Sequence, residues 1–425
     1  MSVVSKLAND VKLPKMIKVQ QIFNRESLAP TEIPSEVNKL LSHDKFKYSI
    51  SEGKKICITC GSRGISNIAL ITKSIVDYCK KVKAKPFVIP AMGSHGGATA
   101  EGQRKMLEGF GVTEEYIGCP IYSSMETVEI GKTDEGTSVF IDKYASESDG
   151  IIVCGRVKPH TCFRGNYESG IMKMMAIGLG KQHGAEVCHE KGFKNMAKNV
   201  HLFGRAIISN APIVCGFAIL ENPYDETRRL VALGPDEIEE KEPELLNEAR
   251  ENMPKIYFEN TDVLIVDKIG KNFSGDGMDP NITGTFATPY ASGGINAENV
   301  VVLDLSDESH GSAVGIGGAD AITKRLFDKI DFEMTYPNVI TATTIKGSKI
   351  PMILKSDKEA IQIALRTTVD SDKNNPRMIR IKNSLQIDEI YISEAHLNEA
   401  KNNPNIKILG ESMEFPFDGN GNLPL

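Results

Sequence analysis

The sequence predicts an α/β fold made of two α/β domains with mainly parallel sheets. Short apolar segments alternate with helical patterns along the first half of the chain, and the alternation resumes after residue 260. Strands that alternate with helices typically form a parallel sheet with helices packed on its faces. The chain has 425 residues, which is more than one hydrophobic core organises, so two domains are expected.

Four apolar segments in the first half of the chain are predicted to be strands. Helical patterns follow the first two of them, over residues 65–84 and 99–111. Beyond residue 260, the segment TDVLIVDKIG begins the second alternation. The four predicted strands are KKICITCG (54–61), KPFVIPAMG (85–93), DGIIVCGRV (149–157) and APIVCGFAIL (211–220).

An acidic stretch marks the predicted domain boundary. Residues 234–256 are rich in glutamate, which is typical of a solvated helix, and we interpret them as the connector. The sequence therefore predicts an N-terminal domain over residues 1–256 and a C-terminal domain over residues 257–394. The polar tail, residues 395–425, is expected to pack on the N-terminal domain.

Composition argues against several classes of protein. A formal net charge of −6 and a pI near 5.9 disfavour a nucleic-acid binder, which usually carries a basic surface. Apolar runs stay below the ~18 residues that a membrane span needs, and the first residues lack a long apolar signal core. Eight cysteines are too few for a disulfide scaffold, so a protein of the reducing cytoplasm is expected.

Three glycine-containing loops follow predicted strands, and each carries a basic side chain. Ligands of open parallel sheets bind beyond the carboxyl ends of the strands. The pattern therefore predicts a ligand crevice at this edge of the first sheet. The loops are GSRGIS (61–66), GSHGGAT (93–99) and KPHTCFRG (158–165).

His95 and His160 lie in two of these loops. An imidazole titrates near neutral pH, so each side chain is suited to general acid–base work. Two histidines from separate strand ends can face one cavity from opposite sides, which suits proton transfer at either face of a carbon. The alternative for each is a hydrogen-bonded loop histidine without a catalytic role.

Arg63, next to Ser62 and flanked by glycines, is predicted to clamp a phosphate or carboxylate near a helix N-terminus. The alternative is a solvated arginine at the start of a helix. The loop is not a P-loop, since the GxxxxGK[ST] spacing is missing. Cys57 and Cys60 form a CxxC pair inside an apolar strand, and without a second such pair we interpret both as packing residues.

The stretch 158–192 concentrates reactive groups, with three histidines, four lysines, two cysteines and six glycines. Lys173 stands among methionines, and apolar surroundings make a lysine amine more nucleophilic. The alternative is a surface lysine whose stem covers apolar neighbours. His189 is a candidate ligand for a metal softer than magnesium.

Taken together, Arg63, His95, His160, Lys173 and His189 resemble, in order and spacing, the lactate racemase family. These are 2-hydroxyacid racemases and epimerases that use a nickel-pincer nucleotide, and the resemblance covers most of the chain. Three departures mark a divergent member. The acidic residues of the family's Asp-Asp-x-Thr-Arg loop are missing from GSRGI, glycine follows His95, and the link from His160 to Lys173 is about three residues longer.

The resemblance implies a role for each matching residue. Ser62 and Arg63 occupy the place of the phosphate-clamping Thr-Arg pair. His95 and His160 match the acid–base pair, and Lys173 matches the lysine bonded to the cofactor's thioamide. His189 matches the nickel ligand. The N-terminal domain would thus bind the cofactor, with the active site in the cleft between the two domains.

The implied reaction is reversible hydride removal from C2 of a 2-hydroxy acid while a histidine takes the hydroxyl proton. The substrate carboxylate would need a cation, for which Arg164, Lys158 and Lys271 are candidates. The implied partners are this small-molecule substrate and the cofactor-synthesis enzymes, with no nucleic acid or membrane. A homodimer is compatible with the sequence.

Two other functions stay open at this stage. One is a conventional oxidoreductase that uses a nicotinamide nucleotide, although no GxGxxG motif opens a first βαβ unit. The other is a non-enzymatic protein that binds a metal or a nucleotide cofactor.

Overall fold

The structure is a computed structural model of the chain and describes residues 2–369 and 371–425. It divides into two compact units. The five-stranded unit comprises Asn24–Met253, and the eight-stranded unit comprises Met1–Phe23 together with Pro254–Leu425. Within the described residues, no helix is long and apolar enough to span a membrane.

Strands and helices alternate along most of the chain. The strands are β1 (Met16–Gln21), β2 (Lys55–Cys60), β3 (Lys85–Pro90), β4 (Thr127–Lys132), β5 (Ser138–Asp142), β6 (Gly150–Arg156), β7 (Ile213–Glu221), β8 (Thr227–Leu233), β9 (Asn260–Ile269), β10 (Asn296–Leu305), β11 (Ala321–Thr323), β12 (Met352–Leu354), β13 (Met378–Ile381), β14 (Glu389–Ser393) and β15 (Ile406–Ile408). The α-helices are α1 (Val3–Asn9), α2 (Ile33–Leu41), α3 (Ile68–Lys81), α4 (Ala100–Gly109), α5 (Glu114–Ile117), α6 (Lys143–Ser146), α7 (Ile171–Lys173), α8 (Lys181–His189), α9 (Met196–Asn210), α10 (Pro235–Glu251), α11 (Pro280–Thr283), α12 (Lys324–Asp328), α13 (Phe332–Thr341), α14 (Asp357–Thr367) and α15 (Leu397–Asn402).

The sheet of the five-stranded unit has the order β3-β2-β6-β7-β8. Its first four strands are parallel, and β8 returns antiparallel to β7. The four strands predicted in this half of the chain are β2, β3, β6 and β7. Because β3, β2 and β6 are adjacent and parallel, the loops that follow them leave the same edge of the sheet.

Both faces of this sheet are buried under helices. On α3, Ile68, Ile71 and Ile75 recur at helical spacing and pack in the core on one face. On β2, Cys60 points into that core and Cys57 into the core on the other face. Residues three apart on a strand face opposite sides, which fits the interpretation of the CxxC pair as packing residues.

The sheet of the eight-stranded unit has the order β12-β11-β10-β9-β13-β14-β1-β15. The strands from β12 to β13 are parallel, and β14, β1 and β15 continue the sheet antiparallel. Both sheets are thus mainly parallel with interspersed helices. The predicted α/β fold class is confirmed.

The two ends of the chain belong to the eight-stranded unit, which corrects the expected domain bounds of 1–256 and 257–394. The tail, residues 395–425, was expected on the N-terminal domain. Instead β15 pairs with β1, and the Met16 N–H donates to the Met413 carbonyl over 2.8 Å. The backbone N–H and C=O groups of β1 form hydrogen bonds with β14 on one side and with β15 on the other. The periodicity of a sequence does not indicate which strands will pair, so the position of the tail could not be predicted.

Helix α10 is not the solvated connector that its acidic composition indicated. It belongs to the five-stranded unit and buries Ile238, Leu245 and Leu246 in that unit's core. The glutamates dominate the composition of the stretch, whereas the apolar residues that decide its position are few and share one face.

Candidate active site

The loops after β2 and β3 and the end of β6 meet one helical segment, residues 171–179. This segment comprises α7 and the π-helical turn Met174–Leu179. A β-carbon placed on Gly61, after β2, would lie 3.0 Å from Met174 Cε, and one placed on Gly155, in β6, 3.4 Å from the same atom. The strand ends therefore approach the helical segment closely, and glycine leaves the necessary room.

The loop after β3 reaches the same segment. A β-carbon on Gly93 would lie 3.2 Å from Ile177 Cγ2 and 3.6 Å from Ala185 Cβ. Gly93 also has a φ of +58°, which glycine adopts without strain. The loop of His95 is thereby packed against the π-helical turn and α8, while His95 itself is half-buried.

Lys173 is the last residue of α7 and directly precedes the π-helical turn. Its side chain is half-buried, and the flanking segment buries Met172 and Met175 completely. A π-helical turn is rare and frequently marks a functional site. Sequence periodicity does not show such a turn, although the methionine-rich surroundings of Lys173 were visible.

Glu242, which the sequence analysis did not single out, holds the start of α7. This carboxyl, on α10, is 1% exposed, and its Oε2 accepts the N–H of Met172 over 2.9 Å. Burial raises its pKa to about 8, although hydrogen bonds from the Ile171 and Met172 backbone act in the opposite direction. A buried polar group on another helix therefore fixes the helix that ends with Lys173.

Replacing Glu242 by glutamine should flatten the pH dependence of stability. The folded-state pKa lies above the ordinary value of 4.5, so folding takes up a proton between pH 4.5 and about 8. Wild-type stability should therefore fall as pH rises through this window, by at most about 1.4 kcal/mol per pH unit from this group. Urea unfolding of wild type and Glu242→Gln from pH 5 to 8 measures the slope. Glu240→Gln, exposed on the same helix, is the control; equal slopes in all three proteins would contradict the assignment.

His160 is held as a neutral imidazole. Its Nδ1 accepts the N–H of Cys162 over 3.0 Å, so the neutral ring carries its proton on Nε2. Its pKa is lowered well below 6.5 by burial and then by the positive charges of Lys173, His189, Arg63 and Arg164. The structure thus brings His160 together with Lys173, His189 and Arg63 of the predicted set.

His189 has the opposite tautomer. Its Nδ1 lies 2.8 Å from the Ala185 carbonyl, which can only accept, so Nδ1 donates and the Nε2 lone pair is available. Burial lowers its pKa, and the positive charge of Lys173 adds to this. A neutral ring with one nitrogen fixed by a carbonyl is the usual form of a metal-binding histidine.

Phe193 links the two imidazoles. Its ring centroid lies 6.2 Å from that of His160 and 5.9 Å from that of His189. His160 also packs on Phe163, with the centroids 4.5 Å apart, and the rings of Phe163 and Phe193 lie 6.4 Å from each other. An apolar wall therefore lies beside both histidines, which strengthens electrostatic interactions by keeping water away.

Glu168, also missed by the sequence analysis, organises the His160 loop. Its side chain is fully buried and accepts the backbone N–H of His160 over 2.8 Å and that of Gly165 over 3.0 Å. It also pairs with Arg164 and Arg250. Arg164 further donates to the His160 carbonyl. The Arg164 guanidinium is therefore engaged in holding the loop, which makes Arg164 a weaker candidate for binding the substrate carboxylate.

Ser62 and Arg63 follow β2, with Ser62 half-buried and Arg63 exposed. The loop is fixed by Glu221 at the end of β7, whose Oε1 accepts the Ser66 N–H over 2.7 Å. The guanidinium of Arg63 is close enough to lower the pKa of His160. Among the described residues, no group of three or more His, Cys, Asp or Glu side chains could hold a metal ion.

Residues 5–200 match the family model of the lactate racemase N-terminal domain. Nearly half of the chain is therefore similar to the N-terminal domain of lactate racemases. Helices and strands of both units also match the solved structure of the lactate racemase apoprotein from Thermoanaerobacterium thermosaccharolyticum, with a TM-score of 0.54 and 14% identity, over 87% of this chain and 99% of that chain. A comparison with the sequences of curated proteins gave no match.

The predicted resemblance to the lactate racemase family is confirmed by these two comparisons. At 14% identity the structural match shows the fold of this chain. All six predicted site residues, which are Ser62, Arg63, His95, His160, Lys173 and His189, lie within the span of the matched lactate racemase N-terminal domain. Their individual roles, and the location of the site in an interdomain cleft, stay predictions.

Proposed function

We propose that the protein is an isomerase, a racemase or epimerase of a 2-hydroxy acid that works with a nickel-pincer nucleotide. The observation that carries the proposal is the convergence of the loops after β2 and β3 and of the end of β6 on residues 171–179. These residues lie within the span that matches the lactate racemase N-terminal domain, and Lys173 and His189 are close enough to His160 to lower its pKa, which supports a shared site.

The residues at the site fit such a cofactor. His189 offers a neutral imidazole with its Nε2 lone pair available for nickel. Lys173 offers an amine in apolar surroundings for covalent attachment, and Arg63, with Ser62, offers donors for a phosphate. When bound, the nucleotide would accept the C2 hydride of the substrate and return it.

The histidines of this chain handle the hydroxyl proton in the proposal. His95 and His160 stand at opposite faces of the substrate carbon, and each exchanges the proton on its own side. As held here, His160 presents Nε2–H and is set to donate. To accept a proton at Nε2, the ring must first carry its own proton on Nδ1 instead, and it then loses the Cys162 contact because an Nδ1–H cannot accept the Cys162 N–H. Lys158, in the loop after β6, is the proposed partner of the substrate carboxylate.

Metal analysis and intact mass test the proposal directly. The protein would be produced together with cofactor-synthesis enzymes, its proposed partners, and then assayed with each enantiomer of a panel of 2-hydroxy acids. We expect one nickel per chain, a covalent mass increase lost on Lys173→Ala, and interconversion of at least one enantiomer pair. A protein of unmodified mass that oxidises one enantiomer with a nicotinamide nucleotide would instead support the oxidoreductase.

Replacing Arg63 by lysine should weaken cofactor retention and leave the fold intact. A guanidinium binds phosphate through two parallel hydrogen bonds, which an ammonium cannot reproduce. The measurement is nickel content and the modified fraction by intact mass after dialysis. Arg229→Lys, at an exposed position of β8, is the control. Equal retention of the cofactor in wild type and Arg63→Lys would contradict the phosphate clamp and favour a solvated Arg63 without a binding role.

A further inference from the structure

The backbone of the His95 loop and that of the His160 loop are each hydrogen-bonded to one buried polar side chain. For the His95 loop this side chain is Gln103 on α4, which is 0% exposed. Its Nε2 donates to the Gly93 carbonyl over 2.9 Å and to the His95 carbonyl over 3.2 Å. One amide therefore ties both ends of the turn that contains His95.

Gln103 is itself fixed by a buried ion pair. The Nζ of Lys181, the first residue of α8, lies 3.4 Å from Gln103 Oε1 and also donates to the Pro90 carbonyl at the end of β3. The same ammonium lies 3.0 Å from Asp142 Oδ2, with both side chains fully buried. A buried charge is costly unless it is paired, so the Lys181 ammonium is expected to keep all of these partners. The contact with Gln103 Oε1 then holds the Gln103 amide in one orientation relative to β3 and α8.

The His160 loop uses different side chains. Glu168 accepts the N–H groups of His160 and Gly165, and Arg250 on α10 pairs with its other side. The Gln103 network is anchored on β5 and α8, whereas the Glu168 network is anchored on α10. The supports of the two loops can therefore be changed one at a time.

We propose that Gln103 and Glu168 are positioning residues, each of which sets the place of one histidine, His95 and His160 respectively. The inference rests on the proposed function for its catalytic consequence. It does not need that function for its structural one. Each loop is expected to loosen when its own support is removed and to stay ordered when the other is removed.

Hydrogen–deuterium exchange on the full chain tests the structural part. Gln103→Met removes both donated hydrogen bonds at similar volume and should speed deuterium uptake in residues 91–99 while residues 158–165 stay unchanged. Glu168→Gln should do the reverse. Gln182→Met, exposed on α8, is the control. Where either variant fails to fold, Gln103→Glu and Glu168→Asp replace them.

Single-turnover oxidation of each pure enantiomer, with nickel-loaded protein, tests the catalytic part. Gln103→Met should slow the same enantiomer as His95→Ala, and Glu168→Gln the same one as His160→Ala, by about 10²-fold, as expected for a small misplacement of a reacting group. Nickel content and intact mass should stay at the wild-type level. A merely structural role would slow both enantiomers equally.

The outcomes separate this inference from the proposed function. Uptake that rises in both loops in either variant, or the same enantiomer slowed in both, overturns the positioning roles. If wild type interconverts no substrate of the panel, the proposed function fails, and the deuterium pattern still decides whether Gln103 and Glu168 hold their loops separately.

Discussion

Alanine at His95 or at His160 is expected to abolish the interconversion of both enantiomers. Racemisation needs a proton acceptor at one face of the substrate carbon and a proton donor at the other, so neither histidine can replace its counterpart. A general acid–base group contributes about 10²–10⁴-fold, and each variant should lose activity on that scale. Nickel content and intact mass should remain those of wild type.

Isotope exchange at C2, measured on each pure enantiomer of a 2-hydroxy acid panel, checks this result. Each variant should still oxidise the enantiomer that faces its surviving histidine. His183→Ala is the matched control, because His183 is exposed on α8 and packs on Phe140. Near wild-type interconversion by both His95→Ala and His160→Ala would show that the two-base assignment is wrong.

Alanine at Lys173 should remove the cofactor and all activity together. The proposed attachment is a covalent bond to the amine of Lys173, at the junction of α7 and the π-helical turn, and alanine has no amine to form it. Turnover of both enantiomers and their partial reactions should therefore fall to background, which distinguishes this variant from the histidine variants. Intact mass and nickel content measure the loss.

Two further variants sharpen the Lys173 test. Lys173→Arg keeps the positive charge beside His160 and His189 but lacks a nucleophilic amine, so it should also lose the covalent adduct. Lys191→Ala, exposed in the same region, should keep both adduct and activity. A full mass increase and full turnover in Lys173→Ala would exclude covalent attachment at this residue.

Local sequence patterns were sufficient for the strand ends and the loops that follow them. The apolar segments of β2, β3 and β6 are short and bounded by glycine, and parallel neighbours necessarily end at one edge of a sheet. His160, Lys173 and His189 could be selected because each combines a reactive group with glycine or apolar neighbours within a few residues.

The supporting side chains could not be selected in this way. Gln103 and Glu242 have no unusual neighbours in sequence, and Lys181 does not stand out among the four lysines of residues 158–192. Their roles depend on contacts with residues 70 to 91 positions away. The pairing of β1 with β15 has the same origin, because its partner lies near the other end of the chain. The hydrophobic periodicity of a sequence indicates which face of a helix or strand is buried, but it does not indicate which other segment packs on that face.

The position of β1 has a consequence for the order of events during synthesis. This strand is synthesised before residues Asn24–Met253, and its partners β14 and β15 are synthesised after them. Residues Asn24–Met253 are contiguous and complete long before then. Non-local strand pairing is slow because a long loop must close first. The five-stranded unit is therefore expected to fold while β1 is still unpaired, and β1 is expected to pair only after β14 and β15 have been synthesised.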